Sequence, residues 1–209
     1  MTDSSTRIEA LDLALLLGSR LCHDLVSPLG AISNGVELMQ MGGAGSGTSG
    51  PEMQLIADAV EAARARIQTF RMAFGRSGEE QRISGPDLAR LLRDMGAQGR
   101  LRIDLDADGD QPRREVQMLL LAIMCLESAM PWGGRVLVVQ SGPQWRLVGE
   151  AERLKADPAL WAWLDATIEG DPPQPPSAKV HFALLAEASR VANRPISWEI
   201  DESGAEIAF

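Results

Sequence analysis

His23-Asp24-Leu25-Val26-Ser27-Pro28-Leu29-Gly30-Ala31-Ile32 is the stretch that decides how the rest of the chain is read. It lies inside a segment, Thr6 to Met41, where Leu11, Leu15, Gly18, Leu21, Cys22, Leu25, Leu29, Ile32, Val36 and Met39 recur at helical spacing. The pattern predicts one long amphipathic helix, and Thr6 with Glu9 three residues later predicts a capping box at its start. On a wheel turning about 100° per residue, Gly18, Leu21, Leu29, Ile32, Val36 and Met39 fall within about 40° of Leu25. His23 falls about 160° away on the same wheel, so its imidazole is expected on the face opposite the apolar stripe. Pro28 removes a helix hydrogen bond and is expected to kink the segment, a cost that implies a local shape requirement.

An exposed imidazole, with an ordinary pKa of about 6.5, is mostly neutral near pH 7 and can act as a nucleophile. Attack through one ring nitrogen requires the proton to sit on the other, and Asp24 directly follows His23 as an acceptor or proton relay. His181, beside Lys179 and Phe182, has no acid after it and no proline five residues on, and reads as structural. Cys22 next to His23 makes no metal site, because adjacent helical residues point about 100° apart and no other ligands cluster with them.

Outward from this helix, the Gly/Ser run Gly42 to Gly50 reads as a flexible connector. Pro51 and Glu52 open a second helix with Ile56, Val60, Ala63, Ile67, Phe70 and Phe74 along one stripe, ending at Gly75 to Gly78. A lone helical hairpin leaves much of its apolar stripe uncovered, and pairing of two copies into a four-helix bundle is the expected solution. From Ile83 the texture becomes mixed. Helices are expected over Pro86 to Met95, Arg113 to Met130 and Ala178 to Asn193, with a short one after Asp157-Pro158. Leu101 to Leu105 reads as a strand, and hairpins are expected over Arg135 to Gln140 with Gln144 to Gly149, and Ile196 to Ile200 with Ala205 to Phe209. The fold class is thus α+β: a hairpin unit over residues 1–78 that dimerises, then an α/β sandwich over 79–209.

The 209 residues include 45% hydrophobic and 23% charged side chains, an ordinary balance for a globular protein. A formal net charge of -9 argues against nucleic acid or an anionic membrane as partner. The apolar run Leu13 to Leu17 is too short to cross a bilayer. Two cysteines, Cys22 and Cys125, without metal spacing are expected to be reduced, partly buried thiols of a cytoplasmic protein. Trp132, Trp145, Trp161 and Trp163 are expected in core or subunit packing.

The His23 to Ile32 stretch resembles the phosphoacceptor box of sensor histidine kinases: a His, an acid, Leu, then Pro-Leu and an aliphatic. That resemblance implies a dimeric helical bundle followed by an ATP-binding α/β sandwich. The second half departs from the kinase pattern. Cys125 stands where the metal-linked Asn belongs, Gly149-Glu150-Ala151-Glu152 replaces the adenine-binding Asp turn, and Pro172 to Pro176 replaces the glycine-rich lid. Proline lacks the backbone N–H groups that cradle phosphates. A kinase-like bundle joined to such a domain resembles the ChpT family of histidine phosphotransferases, most closely along Leu17 to Leu38. The resemblance implies a cytoplasmic homodimer that takes phosphate from the receiver domain of a hybrid histidine kinase and gives it to response regulators. His23 is then the phosphoacceptor and Asp24 its orienting group; the receiver supplies Mg²⁺, and the chain needs neither a cofactor of its own nor ATP. A divergent autophosphorylating kinase and a pseudokinase that sequesters a receiver are the alternatives.

On the same wheel Leu16, Arg20, Ser27, Gly30, Asn34 and Leu38 lie within about 60° of His23 and are the expected receiver-docking strip. Ser27 and Gly30 leave room beside the imidazole, while Leu16 and Leu38 are apolar on a face that solvent alone would make polar. Leu16 could equally contact the second unit. Arg64, Arg66 and Arg71 give the second helix a basic end that is either solvated or faces an acidic receiver.

Overall fold

The computed structural model describes residues 8–41, 50–76, 78, 80–165 and 172–209. Helix α1 (Ala10–Met41) and helix α2 (Pro51–Ala73) form an antiparallel hairpin. Thr6 and the connector from Gly42 to Ser49 lie outside the described residues; Gly50 is the N-cap of α2, with Pro51 at its first position.

Helix α1 continues through Pro28, which is buried. The cost of the proline is met locally. The N–H that Pro28 lacks would have bonded the carbonyl four residues back, that of Asp24, and Arg66 Nη1 of α2 donates to that oxygen instead at 3.2 Å. Two turns further on, Gly35 lets α2 approach closely, since a Cβ there would lie 2.5 Å from Ile56 Cγ1.

The single stripe expected on α1 divides into two. Leu13, Leu17, Leu21, Asp24, Pro28, Ala31 and Gly35, within about 40° of one direction, are buried or half-buried. Leu11, Leu15, Cys22, Val26, Leu29 and Val36 fall about 140° away and are exposed, Leu11 by 71% and Leu29 by 59%. Cys22 is therefore an exposed thiol, not the partly buried one expected. On α2, Ile67 also departs from its stripe, being half exposed.

Next come β1 (Arg82–Ile83), α3 (Gly85–Gln98), β2 (Leu101–Asp106), β3 (Gln111–Pro112) and α4 (Arg113–Ala129). Ser84 caps α3 by accepting from the Asp87 N–H, with Pro86 in the first turn. Then follow β4 (Gly134–Ser141), β5 (Gln144–Glu150), α5 (Pro158–Trp161), α6 (His181–Ala192), β6 (Ser197–Ile200) and β7 (Gly204–Ala208). Ser177–Lys179 forms a separate 3₁₀ turn, so the last helix starts later than its pattern suggests. The paired β1 and β3, two residues each, were not foreseen.

Five strands make one sheet in the order β2-β4-β5-β7-β6, with only the β2–β4 pair parallel. Val136, Val138, Trp145, Leu147, Ala205 and Ile207 alternate inward and are fully or nearly fully buried. They meet α4, which lies in the middle of the helix layer and buries Val116, Leu119, Leu120, Ile123 and Leu126. The outer face of the sheet is laced by the pairs Asp104–Arg135 and Arg146–Glu206, both at 2.6 Å. This is the two-layer sandwich that the pattern predicts.

Two side chains of α4 tie this sandwich to the hairpin. Arg113 Nη2 donates to the Arg71 carbonyl at 2.9 Å and Gln117 Nε2 to the Ala73 carbonyl at 2.9 Å. The Arg71 carbonyl also accepts from the Gly75 N–H at 3.2 Å, so Arg113 adds a second donor there and brings a cation to the negative end of the helix.

Candidate functional site

His23 stands on the middle of α1 with its side chain 80% exposed. Its Nδ1 lies 2.9 Å from Oδ1 of Asp24. With the proton on Nδ1 that contact is a hydrogen bond to the carboxylate, and Nε2 keeps its lone pair toward solvent. Asp24 is far less open, at 12%. Its other oxygen, Oδ2, meets Arg20 Nε at 2.6 Å, and Arg20 Nη1 donates to the Ala178 carbonyl in the 3₁₀ turn before α6. The expected pair of His23 and Asp24 is thus assembled, and its inner end is anchored in the second unit.

Behind Asp24 a polar cavity of about 280 Å³ separates the hairpin from α4 and α6. Arg20, Arg66, Glu127, Lys179 and His181 line it. Burial pushes the Glu127 carboxyl above its usual range, against the opposing pull of Arg20, Arg66 and Lys179. Burial also lowers the Lys179 ammonium, and Arg20 adds to that. His181 is buried, its Nε2 lies 3.0 Å from Ser128 Oγ, and burial together with the cations Arg20 and Lys179 holds its pKa well below that of a free imidazole. It is a neutral structural histidine, as its sequence setting indicated.

The expected docking strip is split. Ser27, Gly30, Asn34 and Leu38 are exposed beside His23, Leu38 by 49%. Leu16 is half-buried and packs against the main core, and Arg20 is engaged by Asp24 and Ala178. Of the three arginines on α2 only Arg66 faces the site; Arg64 pairs with Glu61 at 3.3 Å. Sequence reasoning missed Glu127 and Lys179 altogether. Arg66 carried a usable signal, since it precedes the buried Phe70 by one turn and follows the buried Ala59 by two.

In the second unit Cys125 is completely buried, and burial pushes its thiol far up, with Lys179 opposing. The segment that resembles a displaced nucleotide lid is a strap: Pro172 and Pro175 are buried and the Pro173 carbonyl accepts from Trp163 Nε1 at 3.2 Å. Trp161 packs edge-on to Phe182 and tilted to Trp198. Trp145 is likewise in the core, but Trp132 is 58% exposed under the Arg153 guanidinium instead of packed inside. Among the described residues no group of three or more His, Cys, Asp or Glu side chains is placed to hold a metal, and no helix is long and apolar enough to cross a membrane.

A helical hairpin presenting an acid-paired, solvent-facing histidine is thus docked on a five-stranded α/β sandwich. Residues 85–204 match the family model for the histidine phosphotransferase C-terminal domain. Protein phosphotransferase ChpT of Brucella abortus (strain 2308) is 30% identical over 184 residues, covering 85% of this chain and 86% of that protein. A solved structure of a bacterial phosphotransferase superposes with a TM-score of 0.80 at 26% identity, over 96% of this chain and 97% of the other. The Acinetobacter baumannii histidine kinase AdeS aligns over 89% of this chain and 95% of its own, with a TM-score of 0.45 and 15% identity. The chain belongs to the ChpT family of histidine phosphotransferases.

Proposed function

We propose that this chain is a phosphorelay histidine phosphotransferase in which His23 carries the phosphoryl group between receiver-domain aspartates. The observation that carries the reading is the exposed imidazole whose Nδ1 faces the Asp24 carboxylate at 2.9 Å, leaving Nε2 open to a partner. The Nε2 lone pair attacks phosphorus of an aspartyl phosphate on an incoming receiver. The P–O bond to that aspartate breaks, its oxygen leaves as a carboxylate, and the phosphoryl group remains on Nε2. Asp24 holds the Nδ1 proton and stabilises the positive charge that grows on the ring. A second receiver's carboxylate then attacks phosphorus and the Nε2–P bond breaks, restoring neutral His23. The receiver brings Mg²⁺ and a lysine to offset charge on the phosphoryl oxygens, and rigid presentation on α1 is this chain's contribution.

The transfer is independent of ATP. Supporting this are the buried Cys125 at the position of the kinase asparagine and the tryptophan-anchored proline strap where a lid would be. The chain works as a cytoplasmic homodimer of two units, 1–78 and 79–209. The exposed row Leu11, Leu15, Val26, Leu29 and Val36 supports a second copy of the hairpin as its cover. Receivers dock over Ser27, Gly30, Asn34 and Leu38.

Incubation with a ³²P-phosphorylated receiver tests the central reading. Wild type is expected to acquire acid-labile, alkali-stable label, and His23→Ala to fold normally and acquire none. Equal labelling of the variant removes the proposal. Titration with Mg-ATP tests the second point, where saturable binding below millimolar nucleotide would restore the kinase alternative.

A further inference from the structure

We propose that Arg20 is a positioning residue through which the α/β unit holds the Asp24 carboxylate against His23. The proposal deepens the reading above and rests on His23 as the phosphoacceptor. Arg20 lies one helical turn before Asp24, with the base N-terminal to the acid, the less favourable order for an ion pair along a helix. Solvent-exposed pairs of this kind add little stability. This pair is different in two respects. The Arg20 side chain is only 20% exposed, and its guanidinium is held at the far end by the Ala178 carbonyl, in the turn that follows the proline strap. The guanidinium therefore spans a carboxylate on α1, as an ion pair in which the buried Nε makes no aligned hydrogen bond, and a backbone oxygen of the second unit, to which Nη1 donates; a lysine ammonium has no such extended plane.

The consequence for His23 follows from the two oxygens of Asp24. Arg20 meets Oδ2 and thereby leaves Oδ1 aimed at Nδ1 of the imidazole. The backbone of Asp24 is fixed separately, by Arg66 on its carbonyl. The charged and titratable groups around the carboxylate are Arg20 and His23 on α1, Arg66 on α2, Glu127 on α4, Lys179 in the turn, and His181 at the start of α6. Without Arg20 the cations left facing the cavity are Arg66 and Lys179. They draw the carboxylate inward, away from His23, and the imidazole loses the partner that fixes its tautomer. The α/β unit thus shapes the phosphoacceptor without touching it.

The test uses the full-length chain with ¹⁵N-labelled histidine, where only His23 and His181 contribute signals. Wild type is expected to show His23 with its proton on Nδ1, and Arg20→Ala a mixture of tautomers, while His181 remains neutral in both. In transfer assays Arg20→Ala should slow the step at saturating receiver about ten- to a hundredfold, with the half-saturating receiver concentration unchanged. Arg20→Lys should recover part of both signals. In an Asp24→Asn background the same Arg20→Ala change should cost nothing further, because Arg20 acts through that carboxylate. If Arg20→Ala does not fold, Arg20→Gln carries the same measurements. An unchanged tautomer and rate, a change confined to half-saturation, or an additive loss in the Asp24→Asn background overturns the inference. A wild-type chain that takes no label refutes the His23 reading instead, and the tautomer comparison still decides the role of Arg20.

Discussion

Helices α1 and α4 sit in the two halves of the molecule and are both apolar, yet they bury themselves very differently. The 32 residues of α1 bury only Pro28 and Gly35 completely, whereas the 17 residues of α4 bury twelve. Helix α4 is packed on one side by the sheet and on others by α6 and α2, so its side chains have found their partners within the chain. Helix α1 leaves Leu11, Leu15, Val26, Leu29 and Val36 in solvent on one face and His23 on another. One half holds the fold together; the other is shaped to meet other molecules.

The largest effect expected from this division concerns chemistry on α1. Asp24→Asn should leave His23 able to take phosphate but slow transfer by about 10²–10⁴, the range of general acid–base contributions, in rapid-quench assays with a phosphorylated receiver. A rate within threefold of wild type would mean that the carboxylate does not serve the imidazole. Next is a paired comparison of leucines. Leu126→Ala in α4 should lower stability by about 2–5 kcal/mol in urea unfolding, as a cavity in a packed core does. Leu29→Asp in α1 should leave each subunit folded while light scattering shows dissociation; a dimer that survives it places the interface elsewhere.

A smaller effect concerns the buried His181 and pH. Burial holds His181 neutral in the folded chain, while the unfolded chain protonates it below the ordinary imidazole value of about 6.5. Its contribution is therefore complete above that pH and lost as pH falls, by up to about 1.4 kcal/mol per unit. His181→Gln should flatten this loss between pH 7 and 5; parallel curves for wild type and His181→Gln would contradict a buried neutral ring. Smallest are the docking changes. Asn34→Asp or Leu38→Asp should weaken receiver binding by about tenfold or less, with melting temperature and dimerisation unchanged. Unaltered transfer to every receiver moves the docking surface off this strip.

Most of the architecture was legible in the sequence, because the helices of both halves carry long apolar periods and the hairpins carry turn residues such as Gly142-Pro143. His23 and Asp24 were legible because they are adjacent on one helix. The two faces of α1 were not separable, since the face packed on the rest of the chain and the exposed row use the same apolar residue types. Strands β1 and β3 are too short to show a period. Glu127 and Lys179 come to the site only through tertiary packing of elements distant in sequence, and nothing local in their segments marks them. The group that offsets Pro28 was hidden for a related reason: Arg66 lies on another helix.

That remedy also sets how far one helix of the hairpin can slide past the other. The oxygen freed by Pro28 must be matched by Arg66, and seven residues later the notch at Gly35 must receive Ile56. The two fittings act like a pair of keys cut at different depths. If α2 moved along α1 by a turn, the carbonyl of Asp24 would lose its donor and Ile56 would face a side chain in place of the notch. The alignment of the helices is thus written into two points on α1, and one of those points is the backbone of Asp24 itself.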